Sequence, residues 1–407
     1  MVCVVGLGYV GRPLAEAFAR SLSVIGFDTD AARLKRLSSG EGLSLTGDPR
    51  RIAGADFVII CVPTPVTPSK EPDLSPVRSA AGTVGRNLKR GAVVILESTV
   101  FPGVTEELVK PILERESGLK CGEGFRIGYS PERVNPGDEE HTIDKTVKVV
   151  AGMDAATTEV IAALYRRVAP QVFIARDIRT AEAAKVIENI QRDLNIALMN
   201  ELAMIFEKMG LNTRDVLDAA ATKWNFNRYV PGLVGGHCIP VDPYYLVYKA
   251  RELDYHPQVI LAGRAINDLM PRHVAGMTIK ALNNMDKVIK GSRVLIMGLT
   301  YKGNVPDTRE SPVKGIIKEL KGFGVEVIGY DPLLENIADQ FAVREVKDLR
   351  GLSPVDAVIV AVAHNAFREI TLGELKGVMH SRPVLMDVAQ LFSRSQAEEE
   401  GFYYLTL

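Results

Sequence analysis

The chain has 407 residues, enough for two or three domains that each bury a sizeable core. A net charge of −1, hydrophobic content of 46% and charged content of 24% are those of an ordinary globular protein; with no basic tail or run, no nucleic-acid partner is expected. Cys3, Cys61, Cys121 and Cys238 are scattered with no CxxC pair, no apolar run approaches the ~20 residues that span a bilayer, and no secretory signal precedes the first strand, so the expectations are a reducing, cytoplasmic setting, no disulfide framework, no metal and no membrane span.

Val2–Val5 reads as a short buried strand that runs into Gly6–Leu7–Gly8–Tyr9–Val10–Gly11 and then a helical pattern to Arg20. In a strand–GxGxxG–helix unit, Gly6 permits the tight turn, Gly8 lets a pyrophosphate approach the backbone, and Gly11 lets helix and strand pack closely. The free N–H groups at the helix start then face the phosphates. A lone GxGxxG is a weak signal, but a second strand from Val24 ends in Asp28, seventeen residues after Gly11. Asp28 is placed to accept from both ribose hydroxyls and disfavours an extra phosphate, so NAD is the expected cofactor. Arg33 reads equally as a cation near the adenosine end or as a solvated surface charge.

Ala55–Val62 and Ala92–Leu96 read as further strands, ending in Pro63–Thr64–Pro65 and Glu97–Ser98–Thr99. Ligands of open α/β sheets gather at the carboxyl ends of strands, which places Thr64 and Thr99 on the nicotinamide side; for Thr64, capping the following turn is an equal reading. The stretch from Arg126 has strand character and breaks at Pro131 and Pro136, leaving Glu132 in a loop as a candidate general base or water-holder, or else as a surface-turn residue. Thr146–Val150 and Val172–Ile174 read as the last strands of this domain.

From Thr180 to about Gly210 the sequence reads as one long helix without glycine or proline, a spine between domains and part of a subunit contact. Lys185 and Asn189 are four apart and share a face. They read either as a solvated stripe or as an ammonium and an amide aimed together at a reacting oxygen. A second helix, Asn212–Ala221, leads to Arg228, a candidate clamp for a substrate phosphate or a neighbouring subunit's ligand. Val234–Tyr245 then holds Cys238 and, four residues later, Asp242, with two glycines before the thiol and Pro240 and Pro243 after it. This reads as a bent, stiff loop able to present a sulfur nucleophile beside a carboxylate; the bland alternative is a small buried hydrophobe. Leu246–Asn283 is mostly helical and contains Arg264 and Ile266–Asp268.

The third part repeats the α/β pattern: Gly291–Tyr301 as a strand with a glycine turn, then Val325–Ile328 ending at Asp331, Ala357–Ala361, and Val384–Met386 as the last strand. Gly298–Lys302 is not a clean GxGxxG, so a related nucleotide site is expected rather than a second dinucleotide site, with Lys302 and Arg309 as phosphate partners.

Read in order, GLGYVGRPLA, ESTVFPG, YSPERVNPGD, AEAAKVIEN, GLVGGHCIPVDPYYL, YHPQVILAGRAIND and GLTYKGNVPDTRESP resemble the UDP-glucose/GDP-mannose dehydrogenase family along essentially the whole chain. Several of these motifs, with TKWNF, are similar to the branch that oxidises UDP-N-acetylhexosamines, especially UDP-N-acetylglucosamine or UDP-N-acetylgalactosamine. The resemblance implies two Rossmann-like doubly wound parallel-sheet α/β domains, residues 1–179 for NAD and 286–407 for the UDP-sugar, joined by a long helix and a helical middle domain, residues 180–285, that dimerises. It implies a four-electron oxidation of a sugar 6-hydroxyl to a carboxylate with two NAD, whose product feeds a surface polysaccharide or glycan. By the same resemblance, Cys238 carries a thiohemiacetal and then a thioester, Asp242, Thr99 and Glu132 handle water and protons, and Lys185 and Asn189 stabilise the oxyanion. Gly6, Gly8, Tyr9, Val10, Gly11, Asp28, Arg33, Thr64, Thr99 and Arg309 are implied at the cofactor, and Glu132, Arg133, Val134, Lys185, Asn189, Arg228, Gly235 and Lys302 at the substrate.

Many family members carry Lys or Arg after the aspartate of the last strand, where this chain has Asp387–Val388–Ala389–Gln390, so one substrate contact is not carried over. UDP-N-acetylmannosamine and UDP-glucose are alternative substrates by the same mechanism. β-Hydroxyacid dehydrogenases share the Rossmann domain and the Lys-x-x-x-Asn helix, but residues 291–407 count against them. A non-catalytic NAD sensor predicts a damaged Cys/Lys/Asn/Asp set, and all four residues are present.

Overall fold

The structure is a computed structural model and describes residues 1–37, 40–133 and 142–407. The chain divides into two compact units, one of residues 1–190 and 241–257, the other of residues 191–240 and 258–407.

The first unit is built on a sheet of order β3-β2-β1-β4-β5-β6-β7-β8. Its strands are β1 (Val2–Val5), β2 (Val24–Phe27), β3 (Leu43–Thr46), β4 (Phe57–Ile60), β5 (Val93–Leu96), β6 (Arg126–Tyr129), β7 (Lys148–Gly152) and β8 (Val172–Ile174). The first six run parallel; β7 is antiparallel to β6 and β8 parallel to β7. β1 explains why these strands read as unbroken apolar runs. Its four residues are all buried, with Cys3 and Val5 in one core and Val2 and Val4 in the other, because successive side chains leave opposite faces and helices cover both. β3 is a strand the sequence reading did not anticipate: only Leu43 is buried, so the two-sided apolar signal is missing at this sheet edge.

The second unit repeats the same strand order, β11-β10-β9-β12-β13-β14, with every pairing parallel. Its strands are β9 (Arg293–Met297), β10 (Glu326–Tyr330), β11 (Arg344–Glu345), β12 (Val355–Val360), β13 (Met379–Asp387) and β14 (Tyr403–Leu405). Val384–Met386 is therefore not the last strand. Tyr403–Leu405 extends the sheet, missed because half-buried Tyr403 and Leu405 flank a single buried Tyr404. Val294 and Ile296 face one core, Leu295 and Met297 the other. No helix among the described residues is long and apolar enough to cross a membrane.

The expected long helix spans Ile178–Met209. Its first part, to Ile190, belongs to the first unit and the remainder to the second. In the second unit it packs on the helix Gln258–Asn284, where a side chain at Gly263 would meet Leu194 Cδ2 at 2.4 Å. Beside this contact Arg264, buried to 2% exposure, donates to Asp193 Oδ1 at 2.5 Å, and Asn267 donates to the same oxygen at 2.8 Å. Arg264 keeps a second ion pair with the half-exposed Asp268, so losing Asp193 leaves its buried charge only partly answered. Asp193→Ala is expected to destabilise the protein by about 1–3 kcal/mol, read as a lower midpoint in denaturant unfolding.

Candidate active site

The turn after β1 is cut to receive a dinucleotide. Gly6 has φ +94°, and a Cβ there would lie 2.5 Å from the Cys61 carbonyl oxygen. A Cβ on Gly11 would lie 1.8 Å from the Gly6 oxygen, so the helix Gly11–Ala19 can approach only as glycine. At Gly8 nothing lies within 4 Å of the added carbon, which leaves the outer face of the turn open for a pyrophosphate. Val10 precedes the helix without a side-chain cap, and Tyr9 is exposed beside it.

Asp28, buried after β2, accepts from Leu7 N–H at 2.8 Å, from Asp30 N–H at 2.9 Å and from Arg33 Nη1 at 2.8 Å. Burial alone would raise its pKa, but these donors hold it below the usual carboxylate range. Arg33 is thus neither free cation nor idle surface charge: it is paired with the ribose-end carboxylate. A carboxylate has about four acceptor directions, and the in-chain donors take three of those of Asp28. Open turn, glycine-only contacts and an ionised acid together fit NAD.

At the carboxyl ends of β4 and β5, Ser98 stitches the two strands. Its Oγ accepts from Val62 N–H at 3.0 Å and donates to Val62 O at 2.8 Å. Thr99 follows it, half-buried. Thr64 is hydrogen-bonded to the Tyr245 hydroxyl, whose helix belongs to the same unit. The loop after Thr99 is held from the long helix by Glu182, which is fully buried and accepts from Gly103 N–H at 2.6 Å, Thr105 N–H at 2.9 Å and Thr105 Oγ1 at 2.7 Å. Sequence reasoning passed over Glu182. A glutamate on the apolar side of the AEAAKVIEN helix was the available signal.

Lys185 and Asn189 follow at helical spacing on that same helix. Asn189 is buried and its Nδ2 donates to Asp242 Oδ2 at 2.5 Å. Asp242 lies in the first turn of the helix Asp242–Glu252, with Pro243 beside it, so the stiff loop expected through Pro243 gives way to a helix two residues after Pro240. Burial pushes the Asp242 carboxyl up to about 6, against the opposing pull of the Lys185 charge and the Asn189 hydrogen bond. Glu132, after β6, accepts from Arg133 N–H at 2.8 Å and lies 3.4 Å from the buried Lys148 ammonium. Arg133 itself is committed to Glu188 at 2.9 Å and to the Val147 carbonyl at 2.8 Å. Val134 lies outside the described residues.

The remaining candidates belong to the second unit. Its Cys238 loop is fastened at both of its glycines. A Cβ on Gly235 would lie 2.5 Å from Pro312 Cδ, and one on Gly236, at φ +87°, would lie 2.7 Å from the Tyr301 ring. Gly236 N–H donates to Glu310 O at 3.3 Å and His237 meets the Tyr301 ring edge-on at 6.0 Å, so Gly235 acts here through backbone packing. Upstream, Asn200 accepts from Gly232 N–H at 2.8 Å and donates to Gly232 O at 3.0 Å. These anchors leave the Cys238 thiol half-exposed. Lys302 is half-buried in the turn after β9. Arg309 forks onto Asp307 at 2.7 Å, and Arg228 is ion-paired with Asp218 on the preceding helix. Gln390, in the departing stretch after β13, sits at φ +52°.

Three domains of one family cover most of this chain: the UDP-glucose/GDP-mannose dehydrogenase family NAD binding domain over residues 39–169, its central domain over 179–269 and its UDP binding domain over 295–394. The chain belongs to the UDP-glucose/GDP-mannose dehydrogenase family. It is 46% identical to Protein CapL of Staphylococcus aureus over 90% of this chain and 91% of that protein. It is 43% identical to the UDP-N-acetyl-D-glucosamine 6-dehydrogenase of Pseudomonas aeruginosa over 98% of both. The solved UDP-D-ManNAc dehydrogenase of Pyrococcus horikoshii superposes with a TM-score of 0.89 at 29% identity, covering 100% of this chain and 99% of that one. The protein is an NAD-dependent UDP-sugar dehydrogenase, with NAD as cofactor.

Two measurements test this geometry. Gly11→Ala is expected to abolish NADH binding in a fluorescence titration, because the added methyl has no room against Gly6. Asp242 has a native pKa of about 6 against an ordinary 3.8, so ionising it opposes folding: the cost is absent below pH 3.8 and complete above about 6. Asp242→Asn is therefore expected to gain stability relative to the parent protein as pH rises through that window, by up to about 3 kcal/mol in denaturant unfolding.

Proposed function

We propose that this enzyme oxidises the 6-hydroxyl of a UDP-N-acetylhexosamine, UDP-N-acetylglucosamine in the first place, to the uronate through a thioester on Cys238. The observation that carries the reading is the Lys185–Asn189–Asp242 cluster, with its carboxyl near neutrality and Cys238 only four residues upstream of Asp242. Four residues of chain reach at most about 14 Å.

Gly6, Gly8, Gly11 and Asp28 with Arg33 would hold NAD, which would supply a hydride acceptor for each half of the reaction. In the first half, the 6-hydroxyl proton leaves to the carboxylate of Asp242 or Glu132, with the Thr99 hydroxyl orienting water, as the carbon becomes an aldehyde. The Cys238 thiolate then adds to that carbon, and the new alkoxide is stabilised by the Lys185 ammonium and the Asn189 amide. Collapse of the thiohemiacetal with loss of the second hydride gives the thioester. Water adds to it, the C–S bond breaks, and the acid leaves as the thiol is restored. Glu132, in the loop after β6, takes the water proton in this reading. Lys302 and Arg228 hold the nucleotide diphosphate as charge partners, Arg228 in exchange for its present pairing with Asp218, while Arg309 serves the cofactor.

The N-acetylglucosamine preference is supported by the 43% identity to the Pseudomonas aeruginosa enzyme, above the 34% shared with the UDP-N-acetyl-D-mannosamine dehydrogenase of Pyrococcus horikoshii. We also infer a homodimer, supported by the exposed Ile187, Leu198, Ile205 and Met209 of the long helix.

The purified protein given NAD and a panel of UDP-sugars is expected to produce about two NADH per UDP-N-acetylglucosamine. About one NADH per sugar contradicts the thioester route, and a preference for UDP-N-acetylmannosamine or UDP-glucose replaces the substrate assignment. Cys238→Ser is expected to bind NAD normally yet release no uronate; normal uronate from that variant removes Cys238 from the mechanism.

A further inference from the structure

Lys148 opens β7 with an exposure of only 3%. β7 runs antiparallel to β6, pairing Gly152 with Gly128 and Ala151 with Tyr129. Extending that register sets Lys148 opposite Glu132, at the edge of the sheet where β4 and β5 also end. The Lys148 ammonium is ion-paired with Glu97, lies 3.4 Å from Glu132 Oε2, and stands 5.3 Å over the Tyr165 ring. The Tyr165 hydroxyl donates to the other Glu97 oxygen at 2.5 Å. Glu97 from β5, Glu132 from the loop after β6, Tyr165 from the helix Ala155–Tyr165 and Cys61 from the end of β4 are the titratable groups that face this ammonium.

No step of the reaction proposed above uses Lys148, Glu97 or Tyr165. A lysine in the middle of a sheet core is costly unless its charge is answered, and here two carboxylates answer it. Burial opposes the Lys148 charge, but Glu132 and Glu97 outweigh it and hold its pKa above the ordinary value. We infer that Lys148 is a positioning residue for Glu132: from beneath the sheet edge it fixes that carboxylate in place and in its ionised form, while Glu97 and Tyr165 fix the ammonium. The inference rests on the reading of Glu132 as the group that takes the water proton.

An ammonium in contact with a carboxylate lowers the pH at which the carboxylate takes up a proton. Two variants perturb this in opposite directions. Lys148→Met with Glu97→Gln removes the cation together with its buried partner, leaving no unanswered charge between them. Glu97→Gln alone leaves the ammonium to Glu132. The readouts are kcat and both KM values for the holoenzyme from about pH 6 to about pH 9, with Glu132→Gln alongside. The paired variant is expected to move the acidic limb of kcat up by about one pH unit, a tenfold loss below the limb, with KM values unchanged within about threefold. Glu97→Gln is expected to move the same limb down, and Glu132→Gln to lower kcat about 100-fold. A slow Glu132→Gln with neither of the other variants moving the limb overturns the role of Lys148 and leaves that of Glu132. A Glu132→Gln enzyme of parental rate and profile overturns both. If the paired variant does not fold, Glu97→Gln decides alone: a downward limb supports the inference and an unmoved one overturns it.

Discussion

A single buried hydrogen bond, Asn189 Nδ2 to Asp242 Oδ2, organises the chemistry of the first unit. It joins the long helix to the helix that begins directly after the Cys238 loop. The carboxylate it serves has almost no solvent, 4% exposure, and would be expelled or protonated without compensation. Compensation is partial by construction: one amide donor, the Lys185 charge, and the N-terminal end of its own helix, where an anion is favoured. The result is a carboxyl near 6, able to hold or release a proton at neutral pH, which an exposed aspartate cannot do. Three residues before Lys185, Glu182 clamps the loop that carries Thr99. Spacings of three and four put Glu182, Lys185 and Asn189 on one helix face, so a single helical stripe sets the loop, the cation and the amide together.

The two sheets share a strand order and also their wiring. Gly6 and Gly298 both sit at positive φ after the first strand, and the acids after the second strands, Asp28 and Asp331, accept N–H bonds from Leu7 at 2.8 Å and Leu299 at 2.7 Å. The difference lies in what else touches the acid. Asp28 takes a 40% exposed Arg33, while Asp331 takes the buried ring of His364, whose Nε2 lies 3.1 Å away. His364 is itself pinned, accepting from Asn304 N–H through Nδ1 at 3.0 Å. Asp331 also accepts from Thr300 N–H at 3.3 Å and Leu333 N–H at 2.9 Å, so four in-chain donors fill its about four acceptor directions. The second sheet keeps the architecture of a dinucleotide fold and closes the position that reads the adenosine ribose, consistent with its match to a UDP binding domain.

Much of this was legible in the sequence because buried parallel strands leave unbroken apolar runs and because GxGxxG is a constraint on backbone approach that only glycine meets. The long helix was visible for the same local reason, an uninterrupted run of helix formers. What stayed hidden was settled by tertiary partners. β3, β11 and β14 are edge or short strands with little two-sided burial. Glu182, Ser98 and Lys148 are polar residues whose importance lies in what folds against them, and a lone glutamate, serine or lysine in a sequence does not announce its partner. Arg33, Arg133, Arg228 and Arg309 were legible as cations but not as cations already paired within the chain. For Gly235 the sequence pointed to substrate, whereas the structure gives it a packing role against Pro312.

The distribution of buried acid then becomes informative. Burial raises Glu97 to about 7, Glu182 to about 7 and Asp242 to about 6. All three act electrostatically on the buried Tyr129 hydroxyl at the end of β6. Each has a folded pKa above its ordinary one, so each subtracts stability as pH rises from about 4 to about 7, where it ionises in the native chain at a cost the unfolded chain does not bear. A sheet edge selected only for stability would carry apolar side chains there, since replacing buried charge by well-packed hydrophobes is often neutral or favourable. Of the three, Glu97 directly follows β5 and Glu182 holds the loop after it, on the side of the sheet where ligands bind, while Asp242 opens a helix of the same unit. Three carboxyls held close to neutrality and one lysine buried among two carboxylates give this unit groups able to exchange protons near neutral pH.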